Sequence, residues 1–100
     1  MKSYYADFAN HMLRYYFLTK GERPQEFRTD ADRLNWEACH QVLSTYDDFD
    51  RTIISSVYET GYPIIEAVAA ISAQRTLAVT HIWYLLNDCN KQLAKVRGLI

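Results

Sequence analysis

Apolar residues along the chain recur at helical spacing in five blocks, separated by short polar breaks. The first block, 3–18, places Tyr4, Tyr5, Phe8, Met12, Leu13, Tyr16 and Phe17 on one wide stripe, with Ser3 as a candidate N-cap. Residues 20–29 have no period and hold Gly21 and Pro24, which predicts a loop with Phe27 pinned on the core. The second helix is predicted over 30–46. Thr29 or Asp30 caps it, and its buried face carries Leu34, Ala38 and Val42, joined by Cys39, Leu43 and Tyr46.

The third helix spans 47–60, from an acidic start at Asp47-Asp48 through Phe49, Ile53, Ile54, Val57 and Tyr58. Gly61 suits the left-handed position just past its end. Pro63 then opens a fourth helix that runs to about Gln74. Glu66 is its one charge, so the pattern predicts an enclosed helix. The turn Gln74-Arg75-Thr76 contains no glycine, so either Thr76 or its neighbours are expected to adopt an ordinary conformation, or the helix boundary lies elsewhere. The fifth and longest helix covers 78–97, with Ile82, Leu86, Cys89, Leu93 and Val96 as its seam. Thr80, Tyr84, Asn87, Asp88, Lys91 and Lys95 fall on its other faces.

These elements define an all-α, compact five-helix domain of 100 residues. Residues 1–46 form a helical pair with the loop 20–29, and 47–100 form a trihelical unit ending in a helix-turn-helix. Three Gly and two Pro are too few for the turns of an all-β fold. Cys39 and Cys89 lack metal-site spacing and read as reduced, buried thiols. No window approaches a membrane span or the apolar core of a signal peptide, so the expected location is cytoplasmic.

The net charge of −1 argues against strong nonspecific binding to nucleic acid. The balance is uneven, however. Residues 1–51 carry seven basic and nine acidic groups, whereas 52–100 carry four basic (Arg75, Lys91, Lys95, Arg97) and three acidic.

Residues 50–97 resemble region 4 of sigma-70-type factors and related phage regulators. The resemblance lies in Asp50-Arg51 with Ile53, Ile54 and Val57, then Gly61, then Glu66-Ala67-Val68 and Ile71, with Leu77 as the buried aliphatic of the turn. Thr80, His81, Ile82 and Trp83 stand at the opening of the long helix. The whole chain is also similar to small phage or mobile-element proteins of Firmicutes through "HMLRYYF", "NWEAC" and "RGLI". Three features depart from the region 4 pattern. The turn lacks glycine, the first helix of the pair is longer, and Thr80, His81 and Tyr84 stand where the family carries Arg or Lys.

The resemblance implies a DNA-binding transcriptional regulator. The leading turn of the fifth helix would enter the major groove of double-stranded DNA, with Thr80, His81, Tyr84 and Asn87 meeting base edges. Arg75, Lys91, Lys95 and Arg97 would meet phosphates. The alternative is an ordinary solvated helix face on a protein-interaction or dimerisation module that does not bind DNA.

Aromatic residues are the candidates for that alternative. Tyr4, Tyr5, Tyr15 and Tyr16 exceed what one face of the first helix can bury, and Trp36 and Trp83 fall beside their main stripes. Tyr5, Tyr15, Trp36 and Trp83 would then anchor a homodimer mate, RNA polymerase or another protein; otherwise they are large rings filling a small core.

Little in the sequence supports catalysis or a cofactor. His11, His40 and His81 lie on three different helices with no metal-ligand spacing. The acidic run Asp47-Asp48-Phe49-Asp50 lacks the glycine and distal glutamate of a calcium loop, and fits a helix N-terminus instead. No nucleophile–base set or phosphate-cradling loop is present. Glu22 and Glu26 sit in a flexible loop, a poor place to hold two carboxylates rigid. The chain is therefore expected to be non-enzymatic, with no cofactor and no metal.

Overall fold

A computed structural model describes residues 5–100. Five helices follow in order: α1 (Ala6–Leu18), α2 (Asp30–Leu43), α3 (Asp48–Glu59), α4 (Ile64–Arg75) and α5 (Val79–Val96). The described residues contain no strand. The long α5 is the hub, packing against each of the other four helices. Around it, α1 packs on α2 and α3, and α3 packs on α4.

The predicted seam explains this placement. Ile82, Leu86, Cys89 and Leu93 are buried, and Leu85 and Ala94 widen the buried arc. Val96, its last expected member, is exposed at the final residue of α5, beyond the buried Leu93 and Ala94. Opposite this seam stand Met12 and Leu13 of α1, Cys39 of α2, Ile53, Ile54 and Val57 of α3, and Val68 of α4, each almost wholly enclosed.

The caps follow elementary electrostatics. Thr29 accepts a hydrogen bond from the Asp32 N–H at 3.1 Å, and Asp47 accepts one from the Asp50 N–H at 2.8 Å. Each satisfies an orphan donor at a helix start. Gly61 adopts φ +72 after α3, as its position requires. Ser3 and Tyr4 lie outside the described residues; α1 begins at Ala6, with Tyr5 before it making no side-chain cap.

Four expectations change. First, α2 stops at Leu43 rather than 46. The Ser44 and Thr45 hydroxyls donate back to the Gln41 and Val42 carbonyls, and the chain turns toward the Asp47 cap. Second, the buried stripe of α2 is Trp36, Ala38, Cys39, Val42 and Leu43. Leu34 lies on its far flank and is exposed. Phe8 and Phe49 likewise stand at the exposed edges of their stripes.

Third, α4 is not enclosed. It contacts α3 and α5 on one side only, burying Ala67, Val68 and Ile71 and leaving Ile65 75% exposed. Its exposed side carries Ile65, Ala69 and Ala73 beside Glu66, Gln74 and Arg75, so scarce charge does not mark burial here.

Fourth, the turn between α4 and α5 reaches a left-handed conformation without glycine: Thr76 has φ 54 and ψ 47. The flanking contacts hold it there. The Leu77 N–H donates to the Ser72 carbonyl at 3.1 Å, and the Ser72 hydroxyl bonds back to the Leu77 carbonyl. A β-branched residue is disfavoured at positive φ. Thr76→Gly is expected to raise stability by about 0.5–1 kcal/mol, after the entropy of the unfolded glycine is deducted. Thr76→Asn should recover a smaller part. Urea-denaturation midpoints check both, and an unchanged or lower midpoint for Thr76→Gly would count against strain at this turn.

Candidate nucleic-acid interface

The buried seam of α5 dictates what its opposite face carries. Thr80, Tyr84, Asn87, Lys91 and Lys95 recur at steps of four and three, so they share one stripe, with His81 at its border. All six are exposed, and Tyr84 is 67% exposed. None of their side chains makes a hydrogen bond or ion pair with another described residue. The single acid of α5, Asp88, is turned aside: it is half-buried and accepts a hydrogen bond from the Tyr46 hydroxyl. The stripe is left with two free ammonium groups.

The leading end of α5 differs from those of α2 and α3. Its N-cap is Ala78, which offers no side-chain acceptor, and its first turn holds no acid. The positive end of the helix dipole and its first N–H groups thus face outward without an internal anion.

Arg75 is exposed, and its guanidinium reaches back across α4 to the Ser56 hydroxyl of α3 at 3.2 Å. Arg97 is half-buried, held at 2.8 Å by the Asn35 side chain of α2. Of the four cations expected to meet phosphates, Lys91 and Lys95 are therefore the unengaged pair.

The expected interface aromatics divide. Trp36 is a core residue packed on Tyr16 of α1, which corrects its place among the interface anchors: it is 3% exposed. Its indole N–H donates to the Thr19 hydroxyl at 2.9 Å, its ring stacks on His40 at 4.9 Å, and Arg23 lies 5.6 Å above it. Phe27 packs beside it, as expected of a loop residue pinned on the core, and a 3.0 Å ion pair between Arg23 and Glu37 closes the cover. The apolar pattern of α2 sets Trp36 beside the main stripe because its cover comes from loop 20–29, which has no period to read. Tyr15 and Trp83 are half-buried against the core, and Tyr5 is half-buried before α1. The most exposed large apolar side chains near α4 and α5 are Tyr62, Ile65 and Tyr84. The scarcity of charge in α4 predicts enclosure, so no feature of the sequence marks the first two as exposed.

The thiols are enclosed, and burial holds their pKa values up, that of Cys89 to about 12 with help from the Asp88 charge. A thiol so placed is a poor nucleophile at neutral pH. Among the described residues, no three His, Cys, Asp or Glu side chains converge as metal ligands. None of the described helices is long and apolar enough to cross a membrane.

No protein-family model matches this chain, and no curated protein or solved structure matches it.

Proposed function

We propose that this chain is a DNA-binding transcriptional regulator of phage or mobile-element origin. In this reading α4, the turn 76–78 and α5 act as a helix-turn-helix of the sigma region 4 kind. The observation that carries it is the stripe Thr80, Tyr84, Asn87, Lys91 and Lys95. It is polar, exposed and internally unengaged, on a helix whose other face is locked into the core. A rigid helix with an uncapped leading end suits the major groove and its flanking phosphates. Thr80, His81, Tyr84 and Asn87 would meet bases, while Lys91, Lys95 and Arg75 would meet the backbone.

The test is a salt-dependent anisotropy titration against a randomised duplex pool. Replacing both Lys91 and Lys95 by alanine is expected to weaken binding to every duplex alike and to lower the salt slope by about 2. Arg75→Ala should act in the same uniform way and lower the slope by about 1. Changes at His81 or Tyr84 should shift sequence preference instead. No retention at low salt, or a salt slope near zero, overturns the reading.

Exposure of Tyr62, Ile65 and Tyr84 favours a second reading, in which this side of the molecule docks a protein: a second copy of this chain, or RNA polymerase. Light scattering separates the homodimer from the monomer. A dimer broken by Ile65→Asp, together with no duplex retention, supports this alternative.

A further inference from the structure

A cavity of about 730 Å³ opens between the start of α1, the start of α4 and the middle of α5. That volume lies in the range of pockets that hold small organic ligands. Three of the four asparagines in the chain line it: Asn10, Asn87 and Asn90. Trp83 and Ile64 supply an aromatic and an aliphatic wall, and Arg14 stands beside them.

Asn90 is the anomaly. It is 6% exposed, the one buried carboxamide or charged side chain among the described residues, and no described protein group pairs with its Oδ1. Buried carbonyl oxygens are nearly always paired, and an orphan is destabilising. A leucine at this position would match the seam of α5 and remove that penalty. The terminal torsion of asparagine is soft, so a half-turn presents the carbonyl to whatever enters the cavity. The other two carboxamides are placed differently. Asn10 already accepts a hydrogen bond from the Tyr58 hydroxyl, which leaves its amide protons for a ligand. Asn87 is exposed at the rim.

Carboxamides are neutral and offer an acceptor and a donor side by side. Their complement is a neutral edge with a donor beside an acceptor, as on adenine, where an amino group adjoins a ring nitrogen. An indole and an aliphatic side chain are suitable apolar neighbours for the faces of such a ring. We propose that this cavity is a binding site for a purine nucleoside, with Asn90 pairing the base edge and Trp83 and Ile64 flanking the ring. The inference does not depend on DNA binding, because the free protein is titrated.

The experiment uses the ¹⁵N-labelled full chain and adenosine, following the Asn90 side-chain amide and the Trp83 indole N–H. Saturable shifts at both are expected. Asn90→Leu should fold at least as stably as the parent and weaken adenosine binding at least about tenfold, since the pocket then leaves the polar edge unpaired. Asn87→Ala, at the exposed rim, should fold normally and weaken it by a smaller factor. Three results would each overturn the proposal. These are no shift at Asn90 up to saturating adenosine, equal affinity in Asn90→Leu, and indole binding as tightly as adenosine. The last would mean an apolar slot without base recognition.

Discussion

Trp36→Ala is expected to destabilise the protein by about 3–5 kcal/mol, the range for deleting a buried aromatic side chain. Small domains have total stabilities of about 5–15 kcal/mol, so the variant should stand near the edge of folding. The side chain is enclosed on every side. Tyr16 lies 5.2 Å from its ring, His40 stacks on it, and Phe27 and Arg23 cover it from the loop. The Tyr16 hydroxyl also pairs with His40 Nδ1 at 2.9 Å, so removing the indole loosens a hydrogen-bonded pair as well as a core. Trp36→Phe keeps most of the apolar area but loses the indole N–H bond to Thr19, and should cost about 1–2 kcal/mol. Urea denaturation measures both. Light scattering on the folded fraction should give the same mass as the parent, because the ring faces inward. A mass change with little loss of stability would restore Trp36 to an interface.

The misplacement of Trp36 shows what the sequence could and could not tell. Helix existence was legible because apolar periodicity, the Thr29 and Asp47 caps and Gly61 agree with one another at each boundary. The seam of α5 was legible for the same reason, and its complement, the polar stripe, followed from it. Periodicity fixes which positions share a face, but not which of two overlapping faces meets a neighbour. In α2 the choice between Leu34 and Trp36 was made by loop 20–29, and in α4 the exposure of Ile65 was set by how few helices pack there. The positive φ of Thr76 was hidden because its cause is the Ser72–Leu77 clasp, a local contact with no sequence signature. Asn90 read as one more member of α5, since a carboxamide announces itself only when its surroundings are known to be buried.

Raising the pH above about 9 is expected to unfold the protein steeply, and the reason lies in the same core. Burial pushes the pKa of Cys39, Cys89 and Tyr58 upward, that of Cys89 to about 12. In the unfolded chain the thiols lose their protons near pH ~8.5 and the phenol near ~10. The folded state therefore retains protons that the unfolded state has released. Because stability rises with pH only where the unfolded state binds more protons, here it must fall. The stabilisation is complete below about pH 8 and is lost as pH climbs toward the folded values. Each retained proton contributes about 1.4 kcal/mol per pH unit, so the two thiols give about 3 and, above pH ~10, Tyr58 brings the slope to about 4. The half-buried Tyr46, bonded to Asp88, pulls in the same direction. Urea midpoints measured under reducing conditions from neutral to strongly alkaline pH check this. Tyrosinate absorbance adds a second readout: the Tyr58 phenol should ionise only as the helices come apart. Replacing both cysteines by alanine should lower stability at neutral pH, through lost packing around α5, yet flatten its decline until Tyr58 begins to titrate. If the parent keeps its neutral-pH stability at high pH, water reaches these groups and the core around α5 is looser than its enclosure implies.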